Sequence, residues 1–178
     1  MEKGITIEKV MSMEKPSENF YVELNDNTLG IRFKGFKLRE VNSNEIFHSY
    51  ISEDIYELDY FADNELDYVF PLSIFKAKNL GSNITLVVGN NLVKNLTLIE
   101  RHYIDNQLAA NYKFEFPLFM PGSENNVEFM YPIPPLSNDT QERITQGEDI
   151  TAKSDTFIFV EGKLMVHRRA NYTYTAVC

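Results

Sequence analysis

The 178-residue chain has no tryptophan, a single cysteine, and no uninterrupted apolar run long enough to cross a bilayer. Each shortage removes a class of protein. The one cysteine, Cys178, is the final residue, so no intrachain disulfide, Cys-based metal site or buried thiol nucleophile can be built. Without a long apolar run no transmembrane helix is expected, and the opening MEKGITIEKV lacks a signal peptide's apolar stretch, which leads us to expect a cytosolic setting. Positive charge is in deficit. Lys and Arg number 17 against 26 Asp and Glu, for a net charge of −9, which opposes binding to nucleic-acid phosphates or stable attachment to anionic membranes. The three histidines, His48, His102 and His167, have neither HxxxH nor HxH spacing, and Gly81 and Gly89 stand alone rather than in a phosphate-cradling loop. No metal and no cofactor is expected. The length suits one domain with a sizeable core.

What the chain does have is short apolar runs, separated by turn residues. Thr6 can cap a short helix whose first turn carries Glu8, with Ile5 and Val10 as a hydrophobic staple, and Lys15-Pro16-Ser17 ends it. Residues 20–24 can form a short strand, and 25–27 a turn. The first strong strand spans 30–41, where Ile31 and Phe33 share one parity and Phe36 and Leu38 the other, with Gly35 between them. A bulge at that glycine would turn Phe33, Phe36 and Leu38 all inward; the alternative is a strand buried on both faces. Residues 46–51 are its hairpin partner. The acidic stretch 52–66 fits no period and reads as an irregular connection. Pro71 makes 67–75 an edge strand or a break. Residues 83–88 and 127–133 read as further strands, and Asn138 with Gln141 resembles a capping box for a helix over 139–146 closed by Gly147. A final hairpin joins 157–160 to 163–174 through Glu161-Gly162. The triplet His167-Arg168-Arg169 reads as a solvated strand end.

The focal stretch is 95–118. Leu96, Leu98, Glu100 and His102 share one strand face, so a carboxylate and an imidazole continue a row of leucines. Tyr112, Phe114 and Phe116 share a face of the next strand. This describes an apolar wall with a polar lip, or alternatively an ordinary sandwich strand ending in a solvated turn. For an enzyme, Glu100 with His102, or paired carboxylates from 53–67, would be the acid/base candidates, but no nucleophile motif accompanies them and no catalytic residue is assigned. Thirteen Phe and ten Tyr can fill a core or, together, line a cavity for a long apolar ligand. Many closely spaced strands with two brief helices predict an all-β antiparallel sandwich. A lipocalin-type barrel would hold a similar ligand but usually keeps a tryptophan, and an adhesion domain would want a cysteine pair.

Several strings carry a resemblance. They are Gly30-Ile31-Arg32-Phe33 with Phe36-Lys37-Leu38-Arg39, Ile99-Glu100-Arg101-His102-Tyr103 with Asn106-Gln107-Leu108, Tyr131 with Pro134-Pro135-Leu136-Ser137, Ser154-Asp155-Thr156-Phe157, and Leu164-Met165-Val166-His167 running on to Tyr172 and Tyr174. In these the chain resembles the uncoordinated-119 branch of the GMP phosphodiesterase delta-like lipid-binding family. The resemblance implies an N-terminal segment over 1–19 and, over 20–178, an immunoglobulin-like β-sandwich whose sheets part to hold the acyl chain of an N-myristoylated cargo protein. It implies release by an Arf-like small GTPase in its GTP form, no enzymatic activity, and a cytoplasmic setting that includes the cilium or flagellum. Glu100 and Tyr68 then correspond to polar residues meeting the first residues of the acylated peptide, and Tyr131 to a residue of the pocket lip, beside His102. Together with strand parity, the resemblance predicts a cavity walled by Phe33 and Phe36, by Leu86 and Val88, and by Leu98, Tyr112, Phe114 and Phe116. Ile133, Phe157 and Phe159 complete it. The chain departs from the family at Ile158, at Gly35 and over 51–66. A prenyl carrier of the same fold and an interaction module with a solid core are the alternatives.

Overall fold

The computed structural model describes residues 4–23, 26–52 and 65–176. Two sheets pack face to face, their strands numbered in chain order. The first contains β1 (Arg32–Glu40), β2 (Ile46–Ile51), β4 (Asn79–Val87) and β7 (Glu124–Pro132) in the antiparallel order β2-β1-β4-β7. The second contains β3 (Glu65–Pro71), β5 (Val93–Ile104), β6 (Gln107–Phe119), β8 (Ile150–Val160) and β9 (Lys163–Thr175) in the order β3-β9-β8-β5-β6. This is the expected all-β sandwich, with one departure: β3 runs parallel to β9. Among the described residues two α-helices, α1 (Ile7–Met11) and α2 (Asn138–Gln146), and a short 3-10 helix, Leu72–Lys76, lie outside the sheets.

Local sequence accounts for much of this. In β1, Phe33 pairs with Leu86 and Gly35 with Thr85, so Lys34 is the extra residue of a bulge and the parity switch is absorbed there. A Cβ on Gly35 would sit 3.1 Å from the Tyr50 carbonyl oxygen and 3.2 Å from Thr85 Oγ1, which is why a glycine suits the spot. Glu161 and Gly162 both have positive φ, as a two-residue hairpin turn requires. Pro71 ends β3 and Pro117 lies in β6, both at sheet edges where the missing N–H is tolerated.

Several expectations are corrected. The described part of 20–24 bends instead of forming a strand, because Phe20 and Tyr21 wrap the His167 ring, with centroids 5.3 and 5.5 Å away. Ser137, not Asn138, caps α2: its side chain accepts from Thr140 N–H, while Gly147 closes the helix at φ 77° as expected. The acidic connection lies outside the described residues apart from Ser52, Glu65 and Leu66, and Glu65 and Leu66 already belong to β3. The triplet 167–169 is not a strand end in solvent. It lies within β9, and His167 is 1% exposed.

That burial comes from the N-terminal segment, which packs on the outer face of the five-stranded sheet. Thr6 Oγ1 accepts from Lys9 N–H at 3.2 Å, and Ile5, Ile7, Val10, Met13 and Val22 cover Ile99, Phe157 and Phe159. Polar groups under the segment are bonded to it. The Ser17 hydroxyl donates to Asp155 Oδ1 at 2.6 Å and its N–H to Oδ2 at 2.8 Å. Tyr21 N–H donates to His167 Nδ1, so the ring proton sits on Nε2, 3.2 Å from Asp155 Oδ1. Arg101 donates to the carbonyls of Met11 and Met13. Burial pushes the Asp155 carboxyl up, but the hydrogen bonds from His167 and Ser17 outweigh it and hold the carboxyl below the ordinary carboxylate value.

Candidate lipid-binding site

Between the sheets the interior has two unlike halves. In one, Leu86, Val88, Leu98, Phe129 and Ile158 are packed together, with Phe114 stacked on Phe129 at 3.8 Å between centroids. In the other a cavity of about 150 Å³ opens, roughly ten times what one water requires.

The strand registers set its inner wall. Glu100 on β5 lies opposite Thr156 on β8, which lies opposite Arg168 on β9; the next row on this face, toward the β5–β6 turn, is His102, Ser154 and Ala170, followed by Ile104, Ala152 and Tyr172. Along β3 and β9 the aromatic rings form a ladder: Tyr68 and Tyr172 stack at 5.5 Å, Phe70 and Tyr174 at 6.0 Å, and Phe75 meets Tyr174 at 4.7 Å. The facing sheet contributes Phe33, Phe36, Leu38, Ser82 and Tyr131. Thus most of the lining is apolar or aromatic, with a few polar groups at defined points, the composition of a site for an apolar ligand with a polar end.

Those polar groups are held in place. His102 Nε2 is 3.5 Å from Glu100 Oε2. The hydroxyls of Ser154 and Tyr172 are 2.9 Å apart, and the Tyr112 and Tyr131 rings meet at 4.7 Å. Burial, with the Glu100 charge second, raises the Tyr131 hydroxyl far above the ordinary tyrosine value and raises Tyr112 in the same direction; burial alone raises Tyr174 and is the main cause for Tyr172. These phenols stay protonated and serve as neutral hydrogen-bonding groups. His48 Nδ1 or Nε2 loses proton affinity through burial, beside the Phe36 and Tyr68 rings at 5.5 and 5.3 Å.

Of the residues expected at the site, Tyr68, Glu100, His102 and Tyr131 line the cavity, as do Phe33, Phe36, Tyr112 and Ile133. Leu86, Val88, Leu98, Phe114 and Phe116 belong instead to the packed half beside it. Phe157 and Phe159 lie on the other face of the sheet, under the N-terminal segment; the pairing of Ile99 with Phe157 and of Leu98 with Ile158 turns the even-numbered residues of β8 inward. Sequence reading did not anticipate Phe70, Ser154, Thr156, Arg168, Tyr172 or Tyr174. The last three share one parity along β9, a signal that the assignment of 167–169 to solvent obscured. Among the described residues no group of three or more His, Cys, Asp or Glu could hold a metal ion, and no helix is long and apolar enough to cross a membrane.

Comparison with known proteins agrees with this geometry. The family model for the delta subunit of GMP-PDE matches residues 25–174. The chain is 32% identical over 178 residues to protein unc-119 homolog B of Homo sapiens, covering 94% of this chain and 70% of that protein. It is 30% identical over 176 residues to protein unc-119 homolog B-A of Xenopus laevis (94% and 72% covered). To protein unc-119 of Caenorhabditis elegans it is 30% identical over 177 residues (97% and 80% covered).

Proposed function

The chain belongs to the GMP-PDE delta-subunit family, a family of lipid-binding carriers rather than enzymes, and from that premise we propose that it carries N-myristoylated proteins, hiding the acyl chain between its sheets. The observation that carries the reading is the apolar cavity bordered by Glu100, His102 and Tyr131. An alkyl chain needs the apolar wall, and a carboxylate accepts from backbone N–H groups of the peptide that follows it. The three relatives above bear the unc-119 name, and the resemblance to that branch implies a myristoyl instead of a prenyl cargo.

The energetics permit such a carrier. Burying a myristoyl chain at about 0.8 kcal/mol per CH₂ yields roughly 10 kcal/mol gross, while the same chain partitions into bilayers with only about 10⁴ M⁻¹. A cavity with a few hydrogen bonds to peptide, about 1 kcal/mol each, competes with the membrane. Release then needs a second ligand. An Arf-like GTPase in its GTP form is that ligand in this proposal, and the coupling must be reciprocal: cargo weakens GTPase binding by the factor by which GTPase weakens cargo binding.

The test is a native mass spectrum of the full chain with matched peptides carrying N-myristoyl, S-farnesyl or no lipid. One bound myristoylated peptide, with weaker farnesyl and no unmodified binding, is expected. Preferential farnesyl binding would make it a prenyl carrier, and no binding at all would leave an interaction module. Equal cargo affinity with and without saturating GTP-loaded GTPase would end the release proposal.

A further inference from the structure

Arg168 stands on the inner face of β9, in one row with Thr156 and Glu100. Two strand spacings separate Arg168 from Glu100, so their Cα atoms are roughly 10 Å apart. The guanidinium does not turn out to solvent. Its Cζ lies 5.2 Å from the centre of the Phe33 ring on β1, and β1 belongs to the facing sheet, so the cation reaches across the gap between the sheets. Arg168, Phe33 and Glu100 all line the cavity. The next residue behaves differently: Arg169 points to the outer face, where it meets Glu65 at 2.7 Å and lies over Phe20.

A charge in an apolar cavity is costly to hold. Here a donor on β9 and an acceptor on β5 give the cavity a fixed polarity across its width, which a hydrocarbon chain cannot use. A trans secondary amide can, because its N–H and C=O point in opposite directions. Two hydrogen bonds of about 2.9 Å on either side of an amide span roughly 8 Å, which fits between side chains anchored roughly 10 Å apart. We infer that Arg168 and Glu100 together read the linkage between acyl chain and peptide, Arg168 donating to the amide carbonyl and Glu100 accepting from the amide N–H. The inference rests on the acyl-peptide reading above and deepens it. Arg168 becomes a specificity-determining residue against a thioether-linked prenyl group, which offers neither atom, while Glu100 disfavours a free fatty acid, whose carboxylate can pair with Arg168 but meets Glu100 as a like charge.

Three ligands with one C14 chain and one peptide sequence test it: the N-acyl amide, the corresponding ester, which keeps the carbonyl but lacks the N–H, and the alkyl ether, which lacks both. Affinities are measured by fluorescence polarisation on the full chain, with folding checked by thermal melting. The wild type is expected to bind amide over ester over ether. Arg168→Met should weaken amide and ester about tenfold and leave the ether unchanged, whereas Glu100→Gln should weaken the amide alone. Equal losses on all three ligands in Arg168→Met, or none on the amide and ester, would overturn the role of Arg168 while leaving the carrier reading intact. If that variant does not fold, the wild-type series decides: equal binding of ester and ether overturns the inference. A wild type that binds none of the three overturns both readings.

Discussion

Alternate residues of β5, β8 and β9 face two different environments. Glu100, His102, Ser154, Thr156, Arg168 and Tyr172 border a space. Arg101, Asp155 and His167, each one position away from an inner residue, are packed against the N-terminal segment and hydrogen-bonded to it or to one another. The polar content of the two faces is similar, yet the outer array is closed and the inner one is arranged round a void. A buried polar network whose members satisfy each other holds a segment in one place. Polar groups set round an apolar void instead mark where a ligand with a polar end would lie. We read the outer face as the fastening of the fold and the inner face as its binding surface, carried by the same strands.

The comparison breaks if the two faces cannot be perturbed separately. Asp155→Ala gives the largest expected effect, a loss of about 3–5 kcal/mol in urea unfolding, since it strands three buried donors, the Ser17 N–H and hydroxyl and the His167 ring N–H. The protein that remains folded should keep its affinity for acylated peptide; an equal loss of affinity would mean that the faces act as one unit. The same carboxylate gives a pH signature. Its folded value lies below its unfolded one, so its contribution is fully present above the ordinary carboxylate range, near 4, and is lost as pH falls below that through the folded value. Asp155→Asn should flatten that part of the stability profile.

Next in size, Ala170→Leu adds bulk to the cavity wall and should weaken acyl-peptide binding by about 1–3 kcal/mol, or 10–100-fold, with little change in melting temperature. A large drop in melting temperature would show that this space is core, not binding surface. Glu100→Gln keeps the size and one acceptor oxygen but removes the charge, and should cost peptide binding on the order of 1–2 kcal/mol. Free myristate, whose carboxylate meets Glu100 as a like charge, should lose no affinity on that change, and a matching loss for both ligands would remove Glu100 from peptide recognition. The smallest effect is at the N-terminal helix: Thr6→Ala removes its cap, should cost about 1 kcal/mol of stability, and should leave cargo affinity unchanged.

Period-two alternation was enough to put Glu100 and His102 on the leucine face of β5 and to align Tyr112, Phe114 and Phe116, because those runs are long and regular. Chemistry confined to a few neighbouring residues was legible too: the bulge beside Gly35, the Glu161-Gly162 turn, the Thr6 cap and the Gly147 stop. The cap of α2 was misassigned by one residue because Ser137 and Asn138 are both competent caps, and only the path of the chain before the helix chooses between them.

What only the tertiary structure decided is which face of β8 and β9 looks inward. Alternation distinguishes the faces of a strand when one is buried and the other wet. Here the N-terminal segment covers the outer face, so Phe157, Ile158 and Phe159 are all fully buried and the period has no contrast to report. For the same reason His167 and Arg168, polar in sequence, looked like solvent-facing residues. One is sealed beneath a segment about 150 positions away in the chain, and the other projects between the sheets. The division of the interior into a packed half and an open one is likewise absent from any local pattern: both halves draw on the same Leu, Phe and Tyr residues, and whether these interdigitate or leave a cavity depends on the separation of two sheets assembled from distant parts of the chain.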